Sequence, residues 1–286
     1  AKGGTVFDAW LARASANLAP EEAPEVPPVG DLGGGSDHKG FYQHLGIPAA
    51  GFGFGGRGGV YHSMYDTPRW MQEFGDPGYS YHAATARMAA VVVSRLANSD
   101  VLPFDHAGLA RVAAERVEHL ATEVDAAVEA ATATEHVIGE AALEQDGGGQ
   151  LADAVQPAVA ELEASLNSLE VAARDFARAR DSVLALGSID PSLARAVNER
   201  VRNASLALVG ERGMPGDPWS RQLLFASDPD NGYSTLPIPA ARMALRTGDL
   251  NGTADRMREL ATHLDESRDH LTVATGFLRS GGVGLD

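Results

Sequence analysis

The sequence has no cysteine among its 286 residues. Disulfide bonds, thiolate metal ligands and a cysteine nucleophile are therefore excluded for this chain. The absence leaves the redox compartment open, because a protein without thiols is compatible with reducing and oxidising surroundings alike.

Positive charge is also scarce. Lysine and arginine number 23 against 39 aspartates and glutamates, which gives a formal net charge of −16. This balance repels phosphate backbones and anionic lipid, so we expect no nucleic-acid partner and no membrane-surface partner. No apolar run approaches the ~20 residues that cross a bilayer, so no membrane contact is predicted from this chain.

The N-terminus gives no targeting signal. Residues 1–5 lack the apolar core of a signal peptide and an initiator methionine. We therefore expect a processed end or the end of a fragment, and the compartment is unknown from the sequence.

The first hundred residues favour an α/β layer. A short helical pattern surrounds Val6 and Trp10, and the recurring prolines of 19–31 exclude regular structure there. Ser36 or Asp37 is predicted to cap a short helix, and residues 46–50 are predicted to turn into a buried strand. Short helix, strand and glycine-rich loop thus alternate, which is typical of α/β domains.

The remaining residues predict a helical bundle. Apolar residues recur with helical spacing, and residues 210–240 are predicted to be irregular because glycine and proline are frequent. Four long amphipathic helices with short connectors are typical of a bundle. We place the domain boundary near Asp100–Asp105, giving domains of residues 1–102 and 103–286. The predicted helices cover residues 79–96, 105–135, 158–186, 191–209 and 249–278.

The segment Gly59-Val-Tyr61-His62-Ser63-Met-Tyr65-Asp66 carries the strongest chemical signal. Imidazole is a common zinc ligand, and a neighbouring phenol can donate a hydrogen bond to a developing oxyanion. One histidine does not make a metal site, and the sequence has no His-Glu-x-x-His motif. The histidines on charged helical stretches are predicted to be solvated; these are His106, His119, His136, His263 and His270.

Two other patterns have simpler explanations. Gly51-x-Gly53-x-x-Gly56 matches a dinucleotide-binding pattern, but further glycine and a β-type segment follow it instead of a helix. Ser36, Asp37 and His38 are the residue types of a hydrolytic triad, but a triad is assembled from separated segments. Capping and loop ordering explain these three residues better.

Several ordered motifs resemble a known family. The chain resembles the glutamate carboxypeptidase II-like group of M28 zinc peptidases over nearly its whole length, and its second part resembles the transferrin receptor-like dimerisation domain. The motifs are Asp31-Leu-Gly-Gly-Gly-Ser36-Asp37, Phe41-Tyr-Gln-His-Leu-Gly-Ile47-Pro, Val60-Tyr-His-Ser-Met-Tyr-Asp66, Phe74-Gly-Asp-Pro77, Tyr81-His, residues 96–105, Pro218-Trp-x-Arg221 and Asn231-Gly-Tyr233.

The resemblance implies an α/β/α peptidase domain and a co-catalytic two-zinc exopeptidase that acts on peptides. His62 matches the last zinc ligand of the family, and Tyr61 matches the tyrosine that stabilises the oxyanion. Gly35 and Ser36 match a substrate-contacting loop, and Tyr233 matches a substrate-pocket tyrosine. The family's remaining zinc ligands and its glutamate base lie upstream of the segment matching Ala1. We therefore expect this chain to be incomplete alone and to need the N-terminal portion of the same peptidase.

At three positions the sequence lacks the cationic residue that the glutamate carboxypeptidase has. Glycine occupies positions 51 and 53, where the carboxypeptidase has an arginine pair, and position 232, where it has a lysine. Without these cations a C-terminal glutamate has no evident charge partner, which favours an aminopeptidase or a broader dipeptide-type activity. The alternative is a non-catalytic, receptor-like interaction protein. Either reading implies a homodimer through the helical domain, and family habit favours a secreted, periplasmic or cell-surface location.

Overall fold

The computed structural model of the chain describes residues 4–55, 58–138 and 148–281. These residues are mostly helical and include one small antiparallel sheet. The chain separates into two compact units, one up to Leu32 and one from Gly33 onwards. The predicted domain boundary near residue 102 stays a prediction.

The first unit contains one regular helix, α1 (Val6–Ala14). Thr5 and Asp8 form a capping box at its start: the Thr5 N–H donates to the Asp8 carboxylate at 2.8 Å, and the Asp8 N–H donates to the Thr5 hydroxyl at 3.1 Å. A single 3₁₀ turn follows at Pro20–Glu22. The repeated prolines account for the irregular backbone of the rest, as predicted.

The second unit begins with short helical segments. A π-helical turn spans Gly40–His44, and α2 (Pro68–Trp70) continues into a π-helical turn at Met71–Gly75. The helix α3 (Ser80–Ala97) follows and confirms the helix predicted for 79–96. It buries none of its residues among those described, and its Val91, Val92 and Val93 are exposed.

The buried strand predicted after Gly46 is wrong. Residues 47–50 are irregular, and Ile47 is 44% exposed. A strand needs a hydrogen-bonded neighbour, and within the described ranges both strands lie after residue 220. The α/β layer predicted for the first hundred residues is therefore not confirmed, because helices and irregular segments make up what is described of this part.

The helical bundle is confirmed. Its long helices are α4 (His106–Ile138), α5 (Gly148–Leu184), α6 (Pro191–Leu206) and α8 (Leu250–Ser280), with the short α7 (Pro239–Arg246) alongside. The helix α8 packs against α5, α6 and α7, and α5 also packs against α4. The predicted apolar stripes form the core, including the fully buried Val117, Leu120, Val124, Leu162, Leu166, Leu169, Phe176, Met257, Leu260, Leu264 and Leu271.

Two prolines show how the sequence limits these helices. Pro191 occupies the first turn of α6, and Asp190 caps this helix by accepting from the Ser192 and Leu193 N–H groups at 2.8 and 3.1 Å. Pro157 lies inside α5, which begins ten residues before the predicted start. Val155 and Ala158, which flank the proline in sequence, are fully buried in the core, and such burial opposes the ~3 kcal/mol that an interior proline costs.

A short β-hairpin interrupts the segment predicted to be irregular. Strands β1 (Phe225–Ser227) and β2 (Thr235–Pro237) pair antiparallel, with Phe225 opposite Pro237 and Ser227 opposite Thr235. Three-residue strands are too short to give a readable alternation of apolar and polar residues. Across the described ranges, no helix combines the length and apolar character needed to span a membrane.

Candidate functional site

Two segments far apart in the sequence pack directly on each other. We name them the glycine loop (Gly33–Ser36) and the tyrosine turn (Asp228–Ser234, between β1 and β2). The Gly34 N–H donates to the Tyr233 carbonyl oxygen at 3.0 Å. A Cβ on Gly35 would lie 2.8 Å from the Tyr233 ring, and a Cβ on Gly33 or Gly34 would collide with the backbone of Tyr233 or Gly232. The close approach therefore requires glycine at these positions.

The tyrosine turn is held by its own hydrogen bonds. The Asn231 side-chain oxygen accepts from the Tyr233 and Ser234 N–H groups, both at 2.8 Å. The Asp228 N–H donates to the Ser234 carbonyl at 2.9 Å, and Gly232 takes the left-handed conformation at φ +72°. The Tyr233 side chain stands out of this turn and is 70% exposed, so it can contact a bound molecule.

A buried glutamine joins the segment after the glycine loop to the hairpin. The Gln43 side-chain amide donates to the Ser227 hydroxyl at 2.9 Å, and the Gln43 carbonyl accepts from the Arg221 and Gln222 N–H groups at 2.8 and 2.9 Å. His44 stacks on Trp219 with ring centroids 4.9 Å apart. These contacts fix the π-helical turn against the helical part of the chain.

The Tyr61–His62 turn has unusual backbone geometry. His62 takes φ +61°, in the left-handed region of backbone conformation that residues other than glycine rarely adopt. The Tyr61 and His62 rings stack 3.8 Å apart, and the Ser63 hydroxyl and N–H both donate to the Val60 carbonyl. Both Tyr61 and His62 are exposed. Such strain is concentrated at functional sites, where the surroundings hold it in place.

Tyr61 lines a cleft of about 890 Å³ together with Asp66, Trp70, Asp76 and His82. Asp76 is buried and accepts from His82 Nδ1 at 2.7 Å and from the Tyr81 and His82 N–H groups at 2.9 and 3.0 Å. Burial alone would raise the Asp76 pKa, but these hydrogen bonds outweigh it and hold the pKa below its usual value. The bond places the proton of a neutral His82 on Nδ1 and leaves Nε2 as an acceptor.

The described residues do not form a zinc site by themselves. No group of three or more histidine, cysteine, aspartate or glutamate side chains that could hold a metal ion occurs in residues 4–55, 58–138 and 148–281, as far as their side chains are described. His62 therefore has no second or third protein ligand within this part of the chain. A zinc ion at His62 would need donors from outside it.

The helical histidines correct one prediction. His106 is 4% exposed, and its Nε2 lies 3.1 Å from the Ser205 hydroxyl. His263 is also largely buried, with Nδ1 2.6 Å from the Ala207 carbonyl, whereas His119 is exposed as predicted. The His136 side chain lies outside the described residues. Charged neighbours along a helix suggested solvation, but contacts with α6 decide the burial of His106.

The structure brings together some of the predicted site residues. Gly35 and Tyr233 touch, and the exposed Ser36 follows Gly35 directly. Within the described ranges, no hydrogen bond or ring contact joins the Tyr61–His62 turn to the glycine loop or the tyrosine turn. Sequence reasoning missed Gln43 and the Asp76–His82 pair. Asp76 lies four residues before α3 and accepts from N–H groups of its first turn, and an aspartate shortly before a predicted helix is the signal that could have identified that pair.

Comparison with known proteins gives one family match. Residues 158–272 match the transferrin receptor-like dimerisation domain. This range covers most of α5 and continues through α6, the hairpin and α7 into α8.

Full-length relatives match a larger part of the chain. A probable glutamate carboxypeptidase LAMP1 of Arabidopsis thaliana is 26% identical over 241 residues, which cover 84% of this chain and 29% of the relative. A probable glutamate carboxypeptidase of Arthroderma benhamiae is 24% identical over 88% of this chain and 31% of the relative. The aminopeptidase NAALADL1 of Rattus norvegicus is 25% identical over 92% of this chain and 32% of the relative. The chain thus spans about a third of the length of these relatives.

Proposed function

We propose that this chain, which is similar to the transferrin receptor-like dimerisation domain over residues 158–272 and to glutamate carboxypeptidase-type and aminopeptidase relatives over most of its length, is the C-terminal portion of a two-zinc exopeptidase. In this proposal residues 1–102 complete an α/β/α peptidase domain and residues 103–286 form the dimerisation domain. The exposed α3 and the exposed apolar side chains around it support the proposal, since such surfaces are normally covered.

The contact between Gly35 and Tyr233 is the observation that carries the proposal. These residues are separated by almost two hundred positions, yet the Tyr233 ring lies against the backbone of Gly35. The resemblance to the peptidase group implies that both contact the substrate, and the proposal adopts this role. A chain without a substrate to bind has no evident need for an exposed tyrosine held by so tight a backbone contact.

Each predicted site residue of this chain has a role in the proposed reaction. The His62 imidazole supplies one zinc ligand, and the Tyr61 hydroxyl donates a hydrogen bond to the oxyanion formed at the peptide carbonyl. Gly35, Ser36 and Tyr233 orient the peptide. Zinc, when bound, would activate water for attack on the peptide carbonyl, and its remaining ligands and the general base would come from the N-terminal portion of the peptidase.

The substrate is proposed to be a peptide that needs no C-terminal glutamate, cleaved by an aminopeptidase or a broader dipeptide-type activity. Positions 51, 53 and 232 carry glycine and present no charge to a substrate carboxylate. At position 232 the left-handed backbone also disfavours lysine, because φ is +72°. The relatives include proteins named as a carboxypeptidase and as an aminopeptidase, which act on opposite ends of a peptide.

The test uses the full-length protein including the segment upstream of this chain. We expect two zinc ions per protomer and hydrolysis of aminoacyl or peptidyl substrates that chelators abolish. His62→Ala should lose zinc and activity together. Tyr61→Phe should keep zinc and lower kcat roughly 10²- to 10³-fold, as loss of one oxyanion donor does.

His119→Ala is the matched control, because His119 is an exposed histidine on α4. It should leave zinc content and kcat unchanged. Hydrolysis that survives His62→Ala at the wild-type rate would exclude His62 as a ligand and overturn the proposal.

A non-catalytic, receptor-like homodimer is the second candidate. The match of residues 158–272 to the dimerisation domain supports it, since in the proposal this part of the chain supplies no zinc ligand and no oxyanion donor. The upstream segment discriminates between the two: intact zinc ligands and a glutamate base there favour the enzyme, and their substitution favours the receptor-like protein. A full-length protein that binds no zinc but still dimerises would support the second function.

A further inference from the structure

An arginine outside the short sequence motifs, Arg246, binds two carboxylates of the tyrosine turn. Arg246 is the last residue of α7, and its guanidinium forms a two-pronged pair with Asp228: Nη1 donates to Oδ1 at 3.2 Å and Nη2 donates to Oδ2 at 3.1 Å. Nη1 also donates to the Asp230 carboxylate at 3.0 Å. A planar guanidinium that meets a carboxylate with two parallel bonds fixes direction as well as distance.

These pairs tie the end of α7 to the first and third residues of the tyrosine turn. Asp228 is the first residue of the turn, and its side chain is only 15% exposed, whereas Asp230 is 76% exposed. The Asp228 carbonyl also accepts from the Gly232 N–H at 2.7 Å, one residue before the tyrosine. Arg246 holds the Asp228 pKa below its usual value, so this carboxylate stays ionised and paired near neutral pH.

The restraint continues to the glycine loop. The Tyr233 carbonyl accepts from the Gly34 N–H, and the Tyr233 ring lies against Gly35. A turn that shifts by a fraction of an ångström would therefore move the ring and the loop together. Side chains that orient a substrate work only when a supporting shell locks them in place.

We propose that Arg246 is a positioning residue for peptide binding: through Asp228 and Asp230 it locks the tyrosine turn, and through that turn it sets Tyr233 and the glycine loop. This inference rests on the proposed function for the role of Tyr233 and Gly35. It adds a residue that is proposed to act without touching the substrate and that lies outside the short motifs quoted from the sequence.

The test compares Arg246→Ala, Arg246→Lys and Arg212→Ala in the full-length protein. Arg212 is the matched control, because it also bridges two carboxylates, Asp255 and Glu259, but both lie on α8 and neither belongs to the tyrosine turn. The measurements are kcat and KM for the best peptide substrate, and hydrogen–deuterium exchange of peptides covering residues 33–36 and 228–236.

We expect Arg246→Ala to raise KM about tenfold and leave kcat within about twofold, since a loosened binding surface weakens substrate and transition state alike. Arg246→Lys should fall between wild type and Arg246→Ala, because an ammonium keeps the charge but loses the two-pronged geometry. The amides of Gly34, Tyr233 and Ser234 should exchange faster in Arg246→Ala only. Arg212→Ala should match wild type in KM and in exchange at these amides.

A double variant tests whether Arg246 acts through Asp228. If Arg246 acts through Asp228, then adding Asp228→Asn to Arg246→Ala should raise KM little further, whereas independent sites would multiply their effects. Unchanged KM in Arg246→Ala, or an equal rise in Arg212→Ala, would overturn the inference.

The exchange measurement separates this inference from the proposed function. If the wild-type protein hydrolyses no peptide, the proposed function fails, and the exchange data still decide whether Arg246 locks the turn. Faster exchange at Gly34 and Tyr233 in Arg246→Ala alone would then support the locking role. Exchange equal to wild type would exclude it.

Discussion

His106 is a buried titratable group at the start of the bundle. It is 4% exposed, its Nε2 bonds to the Ser205 hydroxyl, and its Nδ1 has no hydrogen-bond partner among the described residues. Burial lowers the pKa of His106 from 6.5 to about 4, and the neighbouring Asp105 opposes this shift only weakly. The fold therefore requires the neutral imidazole.

We predict that acidification destabilises the chain through His106. The folded pKa lies below the unfolded one, so between pH 6.5 and about 4 the unfolded chain binds a proton that the folded chain excludes. Stability is consequently lost as the pH falls through this window, by about 2 kcal/mol at pH 5, and is unaffected by this group above pH 7. Urea unfolding at pH 7 and pH 5 measures the change.

His106→Gln is the variant that isolates this contribution, because glutamine does not titrate. The other groups with lowered pKa values, such as Asp76 and Asp228, are present in both proteins and cancel in the comparison. The stability difference between His106→Gln and wild type should therefore shift by about 2 kcal/mol between pH 7 and pH 5. Parallel pH curves for the two proteins would contradict the prediction.

The sequence predicts candidate site residues but not the residues that support them. Tyr61, His62, Gly35 and Tyr233 stand within motifs of fixed spacing, and the structure places Gly35 against Tyr233. Gln43 lies within the motif that begins at Phe41 but has no predicted role there, and Arg246 lies outside the motifs quoted from the sequence. Gln43 acts on residues almost two hundred positions away, and such a contact depends on how whole elements pack, which local patterns do not encode.

At the scale of elements, the apolar periodicity was sufficient for the long helices. The predicted stripes of α4, α5 and α8 are the buried faces, because a repeat of 3.6 residues places those side chains on one side. The same reasoning failed for residues 47–50, since strand formation depends on a neighbouring strand. It also missed the hairpin, whose strands have only three residues each.

The glycine loop provides a test of how tightly these elements meet. A Cβ on Gly34 would overlap the Ser227 hydroxyl and the Gly232 carbonyl, and backbone cannot rotate away as a side chain can. We expect Gly34→Ala to lower the free energy of unfolding by roughly 1–3 kcal/mol, as overpacking does. Chemical denaturation monitored by circular dichroism gives this value.

Gly51→Ala serves as the matched control for Gly34→Ala. No atom lies within 4 Å of a Cβ built on Gly51, and its φ is not positive. This substitution should change the free energy of unfolding by less than about 0.5 kcal/mol. If Gly34→Ala is equally neutral, the loop does not press on the tyrosine turn as the structure indicates.

At the scale of the whole molecule, the buried apolar residues are distributed unevenly along the chain. The core residues lie from Val101 onwards, while large apolar side chains in the first hundred residues are exposed, among them Phe41, Phe74 and Val93. The bundle thus has the buried core that a stable domain needs. The first part has the surface expected of a segment that packs against other structure, which agrees with the proposed N-terminal portion of the peptidase.

We predict that the chain forms a homodimer through its helical domain, as the match of residues 158–272 to a dimerisation domain suggests. Light scattering at micromolar concentration should give about 60 kDa, twice the 29.9 kDa of one chain.

Exposed apolar residues near the N-terminus offer a competing route to association, so the same measurement on residues 99–286 is decisive. A two-fold interface between bundles predicts a dimer for both chains, with an unfolding temperature that rises with protein concentration. If the shorter chain is folded by circular dichroism but monomeric, the helices are not the interface and association depends on residues 1–98.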